Sequence, residues 1–506
     1  MPQRSALAVD RSRIGAATLL LLIVGAMLIA ASVLVRPNNH DEGQYVAAVA
    51  LTRTGLPYRD FPFLQTPLQP LLLAPFAYIP AGWLLVDMRG INAVFALLTG
   101  WLLFVQLRNR VTWTSAAIAI AALFCTDAFL FAASSARNDA LPMLLLTAAQ
   151  AAMLASLDRQ RPWRLIGLAG LLFGLAISAK ISAALPAAGA AAYLLLQPRR
   201  DLRSCLAFIF GVLLGLLPCA IMAVIAPEQF RFGVFSYSLD APTQWWKSIG
   251  QTHRLEPAAR ILRLLHLSTN GVIAVGLAAA AADRRPGESR RLLDFLIVGG
   301  AIGSYLPEPA FTQYLVPVLP AVAARLAFAI DEAPKTRRRI AASAIAFSSI
   351  LGLLPMAGYA AQAFRNGPDL VHTVQAARAV SALTRGGTVV TLSPERVAGS
   401  DVNLDRRFAT GPFLFRTFGP LGGDALRYGL SPNWQRAESA LLREPPSVIV
   451  VGGESRPFPP LYPGGLDAFL QAWAVSRAYR RIALPGGQLT AYVHPAAPAA
   501  TSTRTP

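Results

Sequence analysis

Apolar residues in this chain gather in long unbroken runs, and polar residues are confined to the short stretches between them. The first run, Ile14 to Val35, holds about 22 uncharged residues, longer than the core of a secretory signal and long enough to cross a bilayer as a helix. Comparable runs at 83–107, 113–133, 139–157, 164–180, 182–197, 204–226, 262–282, 292–306, 314–330 and 340–362 predict about eleven transmembrane helices in all. The pair flanking Lys180 is short and also fits tilted or half-buried helices, which would change the count by two and leave the orientation as it is.

Beyond residue 362 the pattern changes to short apolar runs among glycines, prolines and charges. "TVVTLS" (388–393), "SVIVVGG" (447–453) and "LTAYVHP" (489–495) predict strands, "NWQRAESALLRE" (433–444) a helix and "LPGGQL" (484–489) a hairpin turn. The pattern therefore divides the chain into a transmembrane domain (1–362), a small α/β domain (363–495) and a Pro/Ala/Thr tail (496–506) expected to be disordered.

Composition agrees with this reading: of 506 residues, 54% are hydrophobic and 14% charged, and the mean hydropathy of +0.46 places the chain outside the range of water-soluble enzymes. A net charge of +19 would suggest nucleic acid in a soluble protein. Here the arginines sit in "RNR" (108–110), "DRQRPWR" (158–164), "PRRDLR" (198–203), "DRRPGESRR" (283–291) and "DEAPKTRRR" (331–339), at every second junction between runs. That is the pattern of cytoplasmic loops. It places the N-terminus in the cytoplasm of an inner-membrane protein, and puts residues 36–82, the loop 227–260 and the C-terminal domain on the periplasmic face. Cys125, Cys205 and Cys219 lie inside apolar runs and form neither a disulfide framework nor a zinc spacing. No internal repeat is evident.

Candidate chemistry collects at the outer edge. The loop "RPNNHDEGQYVAAVALTRTGLPYRDFPFLQTPLQP" carries Asp41, Glu42, Tyr45, Tyr58, Arg59, Asp60 and Gln65, and its prolines predict two short helices at about 41–54 and 67–80. Asp41 fits an N-cap with Gln44 as its capping-box partner, a role compatible with a chemical one. "SSARNDALPMLLL" brings Arg137 and Asp139 to the start of the fourth run, "GLAISAKISAALP" places Lys180 between the two short runs, and "LPEPAFTQYLVPVLPA" adds Glu308, Gln313 and Tyr314. Asp139 also fits a helix cap and Lys180 a snorkelling lysine, but fixed cations beside carboxylates at this depth suit a lipid phosphate. Trp245 and Trp246 read as an interfacial aromatic belt in preference to a sugar-stacking platform.

"HDEGQY", "GLPYRDFPFLQTPLQP", "ARNDALPMLLL", "GLAISAKISAALP" and "TQYLVPVLPA", in that order over roughly the first 330 residues, together resemble the bacterial GT-C glycosyltransferases related to protein O-mannosyltransferases (glycosyltransferase family 39) and the lipid A aminoarabinose transferases. The resemblance implies a GT-C-like polytopic α-helical fold with a catalytic first outer loop. It also implies transfer of a hexosyl or pentosyl group from a polyprenyl-phosphate donor to a hydroxyl of a lipid, glycan or protein acceptor at the outer face. Asp41 would be the general base, Glu42 its neighbour in acceptor or metal binding, and Asp139 the second catalytic acid position. A divalent metal is left open. Where the aminoarabinose transferases carry a "KPP" motif, this chain has "LQTPLQP" with Gln65 nearby. The chemistry of such a transfer requires a base on the acceptor, cations at the leaving phosphate and a cavity open to lipid and water. Arg137 and Lys180 are the expected cations, with Tyr45, Arg59, Gln65 and Tyr314 as further donor contacts and Arg231, Lys247 and Arg254 as alternatives. The rival readings are a transporter or lipid flippase, whose ionisable groups would cluster at the bilayer midplane, and a non-catalytic scaffold.

Overall fold

The computed structural model describes residues 11–495 apart from 198–200, 385, 417–433 and 459–461. The tail expected to be disordered, and part of the "PRRDLR" loop, lie outside the described residues.

The first apolar run forms α1 (Arg11–Val35), and the loop that follows folds as α2 (His40–Leu51), α3 (Leu68–Leu72) and a 3-10 turn at Ala74–Tyr78. The remaining runs form α4 (Trp83–Leu107), α5 (Trp113–Phe124), α6 (Asp127–Ser134), α7 (Ala140–Ser156), α8 (Trp163–Ala179), α9 (Ala184–Leu195), α10 (Leu202–Gly215) and α11 (Leu217–Ile225). The loop 227–260 contributes α12 (Pro227–Arg231) and α13 (Tyr237–Ser248). Then follow α14 (Pro257–Ser268), α15 (Val272–Ala282), α16 (Glu288–Tyr305), α17 (Leu319–Asp331) and α18 (Lys335–Asn366).

All eleven runs are helical, but they are not eleven straight rods. Among the described residues, four helices are long and apolar enough to cross a membrane, and up to seven if each of three bent pairs is one span: α5–α6 (65°), α10–α11 (46°) and α14–α15 (95°). Two of the breaks satisfy each other's backbone. Asp127 N donates to Asn270 O (3.1 Å) and Val272 N to Thr126 Oγ1 (2.9 Å), and Gly271, at φ +125°, lies so close to Thr126 that a Cβ would collide.

Small residues set the closest helix contacts. A Cβ on Gly170 or Gly174 of α8 would stand 2.2 or 2.3 Å from a carbonyl oxygen of α10, and Gly211 and Gly215 of α10 meet α8 in the same way. Large apolar side chains cover the outside: Phe210, Leu213 and Val224 of α10–α11 and Phe347, Ile350 and Leu354 of α18 are exposed. Water would penalise such a surface, and acyl chains would not.

The C-terminal residues begin with α19 (Asp369–Thr384) and build a five-stranded sheet in the order β2-β1-β3-β5-β4, from β1 (Thr388–Thr391), β2 (Asn403–Leu404), β3 (Val448–Val451), β4 (Arg480–Ala483) and β5 (Thr490–Val493). β1 pairs in parallel with β2 and β3, β5 runs antiparallel to β3 and β4, and the expected "LPGGQL" turn joins β4 to β5 with Gly486 and Gly487 at positive φ. This unit is not a detached appendage. Tyr45 to Leu51 of α2 share one hydrophobic core with Val389, Val448 and Ala491 of the sheet, and Ala81 N and Ser400 N exchange hydrogen bonds across the seam with Asp401 Oδ1 (2.6 Å) and Ile79 O (2.8 Å).

Candidate active site

α2 starts one residue earlier than its acidic pair suggests. Asn39 is the N-cap: its side chain accepts from Asp41 N (2.9 Å), and the Glu42 side chain accepts from Asn39 N (3.0 Å), closing the capping box. The cap expected of Asp41 and Gln44 is thus made by Asn39 and Glu42, and the Asp41 carboxylate is released from capping. Asp139 does occupy the N-cap position of α7, yet its side chain makes no capping bond.

Glu42 is fully buried, and its two oxygens accept from four donors: Arg89 Nε (2.8 Å) and Ala136 N (2.6 Å) on Oε1, Arg89 Nη2 (2.6 Å) and Asn39 N (3.0 Å) on Oε2. Those donors use the lone-pair directions a carboxylate offers. Arg89 spends its remaining hydrogens on Arg36 O (3.0 Å) and Asn38 Oδ1 (3.1 Å). One helical turn later on the same face of α4, Asn92 Nδ2 donates to Ser135 O (2.6 Å) and Arg137 O (2.8 Å), and Gln69 Nε2 also reaches Arg137 O (2.9 Å). α4 therefore sets the distance between the loop after α1 and the segment before α7.

That spacing joins four of the expected residues. Arg137 bridges Asp41 through Nη1 and Asp139 through Nε (3.0 Å), and Lys180 Nζ binds the other oxygen of Asp139. Asp139 is completely buried, Arg137 and Lys180 nearly so, and the Asp41 side chain keeps 23% of its surface accessible. Asn138 Nδ2 ties the group to Gln65 Oε1 (3.3 Å) and Ala179 O (3.0 Å). Tyr45 and Tyr314 both lie within range of the Asp139 charge; burial and that charge push the Tyr45 phenol well above its ordinary range.

A small gap with room for about one water molecule lies beside this chain of charges. Asp139, Lys180 and Ser182 line it together with the apolar Pro142, Met143, Leu146, Ala183, Val316 and Pro317.

Several expected donor contacts lie elsewhere. Arg59 is exposed and paired with Asp60 (2.8 Å), so a local partner holds it away from the cluster. Arg231 and Lys247 are exposed, and Arg254 stacks on Trp246 (4.7 Å). Trp245 is not part of a lipid-facing belt: it is buried against Phe458 (5.0 Å between ring centres) on the C-terminal unit. Among the described residues no three His, Cys, Asp or Glu side chains gather as a metal cage, and the carboxylates of the cluster each face a fixed Arg or Lys instead. The residues present thus fit a cation-balanced site better than a resident metal.

Sequence reasoning missed Arg89 and Asn92, although an arginine within an apolar run was a usable signal. It also missed His40, Arg416 and Glu454, which meet across the seam between the two parts of the chain. His40 Nε2 lies 3.2 Å from Asp41 Oδ1 and 3.1 Å from Arg416 Nη1, and Arg416 Nη2 lies 3.0 Å from Glu454 Oε2.

Comparison with known proteins places this architecture. The sequence model of the dolichyl-phosphate-mannose-protein mannosyltransferase family matches residues 64–225. A search of curated protein sequences gives no significant match. Among solved structures, ArnT from Cupriavidus metallidurans bound to undecaprenyl phosphate aligns with a TM-score of 0.62 at 14% identity, over 94% of this chain and 98% of that one. Its apo form gives 0.61 at 12% identity with the same coverage. The archaeal oligosaccharyltransferase AglB from Archaeoglobus fulgidus, in complex with an inhibitory peptide and a dolichol-phosphate, gives 0.51 at 12% identity over 96% of this chain and 74% of that one.

Proposed function

We propose that this chain, which has the fold of the GT-C superfamily of membrane glycosyltransferases, transfers a sugar from a polyprenyl-phosphate donor to a hydroxyl acceptor at the outer face of the inner membrane. The observation that carries this reading is the charge chain that runs from Lys180 and Asp139, beside a gap of largely apolar lining, through Arg137 to the partly accessible carboxylate of Asp41. A lipid phosphate has the same division: an apolar chain for the lining and an anion for the cation beside it. The undecaprenyl phosphate bound to ArnT and the dolichol-phosphate bound to AglB support the same donor class.

In this reading Asp41 takes the proton from the acceptor hydroxyl as its oxygen attacks the anomeric carbon. The bond from that carbon to the phosphate oxygen breaks, the electron pair stays on the phosphate, and the configuration inverts. Lys180 and Arg137 receive the charge that develops on the leaving phosphate. Asp139 holds both cations in place, so it acts on the donor end and Asp41 on the acceptor end. Glu42, saturated by Arg89, Ala136 and Asn39, positions Asp41 without entering the chemistry. Arginine-bearing loops at the opposite helix ends support an N-terminus in the cytoplasm and a periplasmic C-terminal unit.

The test is binding of undecaprenyl phosphate to the purified full chain in nanodiscs, followed by release of that lipid from undecaprenyl-phosphate mannose. Saturable binding that weakens in Lys180→Gln supports the site. Undiminished binding in Lys180→Gln and Arg137→Gln together would reject it.

A further inference from the structure

The alternating charges do not stop at Asp41. From Lys180 they run through Asp139, Arg137 and Asp41 to His40, and from there to Arg416 and Glu454 on the C-terminal unit. His40 Nε2 faces two groups with opposite needs. Arg416 Nη1 at 3.1 Å can only donate, so Nε2 must offer it a lone pair. The ring proton then sits on Nδ1, on the side of Glu454 Oε1 at 3.8 Å. With Nε2 as an acceptor, its 3.2 Å approach to Asp41 Oδ1 holds no hydrogen bond while Asp41 is ionised. A proton arriving on Asp41 can make that bond only by displacing Arg416 Nη1 from the single Nε2 lone pair.

We propose that His40 is a positioning residue for the transfer, drawing onto its Nε2 the proton that Asp41 takes from the acceptor and passing its own Nδ1 proton out past Glu454 to water. The inference rests on Asp41 being the base. The acceptor proton moves to an Asp41 oxygen as the glycosidic bond forms and the phosphate leaves; the Asp41 O–H proton then takes the Nε2 lone pair as Arg416 Nη1 gives it up, Arg416 staying bonded to Glu454 through Nη2, and the Asp41 carboxylate is restored. The resulting imidazolium, flanked by Glu454, loses its Nδ1 proton to solvent, which reaches 42% of the His40 side chain. The ring ends as the other tautomer and returns through solvent exchange.

The electrostatic surroundings suit a transient carrier. Although part of the ring meets solvent, it is packed among so many protein atoms that lost hydration, followed by the Arg416 charge, lowers its pKa to about 4. Glu454 opposes that shift and Arg137 and Arg456 add to it. An imidazole with a carboxyl-like pKa accepts a proton from a carboxylic acid at little cost and does not keep it at neutral pH. The arrangement also gives the C-terminal unit a part in turnover, since Arg416 and Glu454 set the His40 tautomer.

The experiment uses the full chain in nanodiscs with ¹⁵N-labelled histidine, the His40 signals assigned by loss in His40→Gln. The expected spectrum at pH 7 is a neutral ring protonated at Nδ1, moving toward the Nε2-protonated form in Arg416→Gln. A ring protonated at Nε2 in the parent protein would overturn the proposal, and this arm needs no turnover. With undecaprenyl-phosphate mannose as donor, His40→Gln should lower kcat by about ten- to a hundredfold, at the lower end of general acid-base effects. Donor KM should stay unchanged, and added imidazole should restore part of kcat. An unaltered kcat in His40→Gln would also overturn it. If the parent releases no undecaprenyl phosphate at all, the donor assignment fails, and the tautomer still decides the placement of the proton.

Discussion

Two ionic networks tie together different helices at opposite ends of the bundle, and one of them lines an apolar gap. At one end Asp41, Arg137, Asp139 and Lys180 alternate in sign beside that gap. At the other, the α15–α16 loop meets the end of α17: Arg325, almost fully buried, reaches Asp283 (2.7 Å) and Asp294 (3.0 Å), and Arg290 and Arg285 both reach Glu332 (2.6 Å). In the second network Arg325 also closes onto the backbone carbonyl of Asp283 (2.8 Å), so the group ties loop to helix. Burial and pairing alone do not mark a site. Nor does carboxylate access, since Asp294 and Glu332 are more exposed than Asp41; what sets the first network apart is the apolar-lined gap beside Lys180.

The largest effect that should separate the two ends is the loss of Arg89. Arg89→Gln leaves the buried Glu42 carboxylate without its bidentate partner, which typically costs about 3–5 kcal/mol. We expect thermal unfolding in detergent to drop sharply, with part of the loss recovered in the Arg89→Met, Glu42→Leu double variant. Arg325→Gln should also destabilise the protein, but its folded fraction should bind undecaprenyl phosphate with parental affinity. Weakened lipid binding in that variant would erase the distinction between the networks.

Asp41→Asn comes next. Asn39 makes the cap, so the fold has no need of the Asp41 charge for helix initiation. We expect near-parental unfolding temperature with turnover reduced by about 10²–10⁴, the range for loss of a general base. Turnover at the parental rate would move the base elsewhere. Lys180→Gln should weaken undecaprenyl phosphate binding by about ten- to a hundredfold, corresponding to one charge-assisted hydrogen bond of ~1.5–3 kcal/mol. Equilibrium binding to the folded variant measures this directly.

The smallest effect concerns a third kind of buried charge. Glu395 packs against Gly43 of α2, its Oε2 has no hydrogen-bond partner, and burial raises its pKa from 4.5 to about 8. Because folding raises this pKa, the folded state keeps a proton that the unfolded chain has released. The associated stability is complete below pH 4.5 and declines as the pH rises toward 8. Glu395→Gln should therefore unfold at a higher temperature than the parent at pH 8.5 and at the same temperature near pH 4.5. A gap independent of pH would mean that Glu395 is ionised in the fold.

Much of the site was legible as separate pieces. Asp41, Arg137, Asp139 and Lys180 were each found as ionisable residues at the edges of apolar runs, because hydrocarbon penalises charge and makes the exceptions conspicuous. Arg89 carried the same signal within its run and was passed over. Arg59 was misread because its nearest partner is the adjacent residue, Asp60, and proximity in the chain says nothing about direction in space. The cap went to Asn39 because the backbone turns into the helix two residues before the acidic pair. Trp245 was read as a belt residue because an interfacial aromatic and a buried aromatic look alike until the surface that covers them is known; here that surface carries Phe458, more than two hundred positions away.

What the sequence by itself determined is whatever repeats over a helical turn or a strand: the helical runs and the change to short strands after residue 362. These follow from local backbone periodicity and from the solvent each segment must meet. Only the tertiary structure decided which charges face one another, that α4 spaces the loop after α1 from α7, that a gap lies beside Lys180, and that His40 looks across a seam to Arg416 and Glu454. An ion pair depends on the last few ångströms of docking between segments far apart in the chain, and no local pattern encodes that distance.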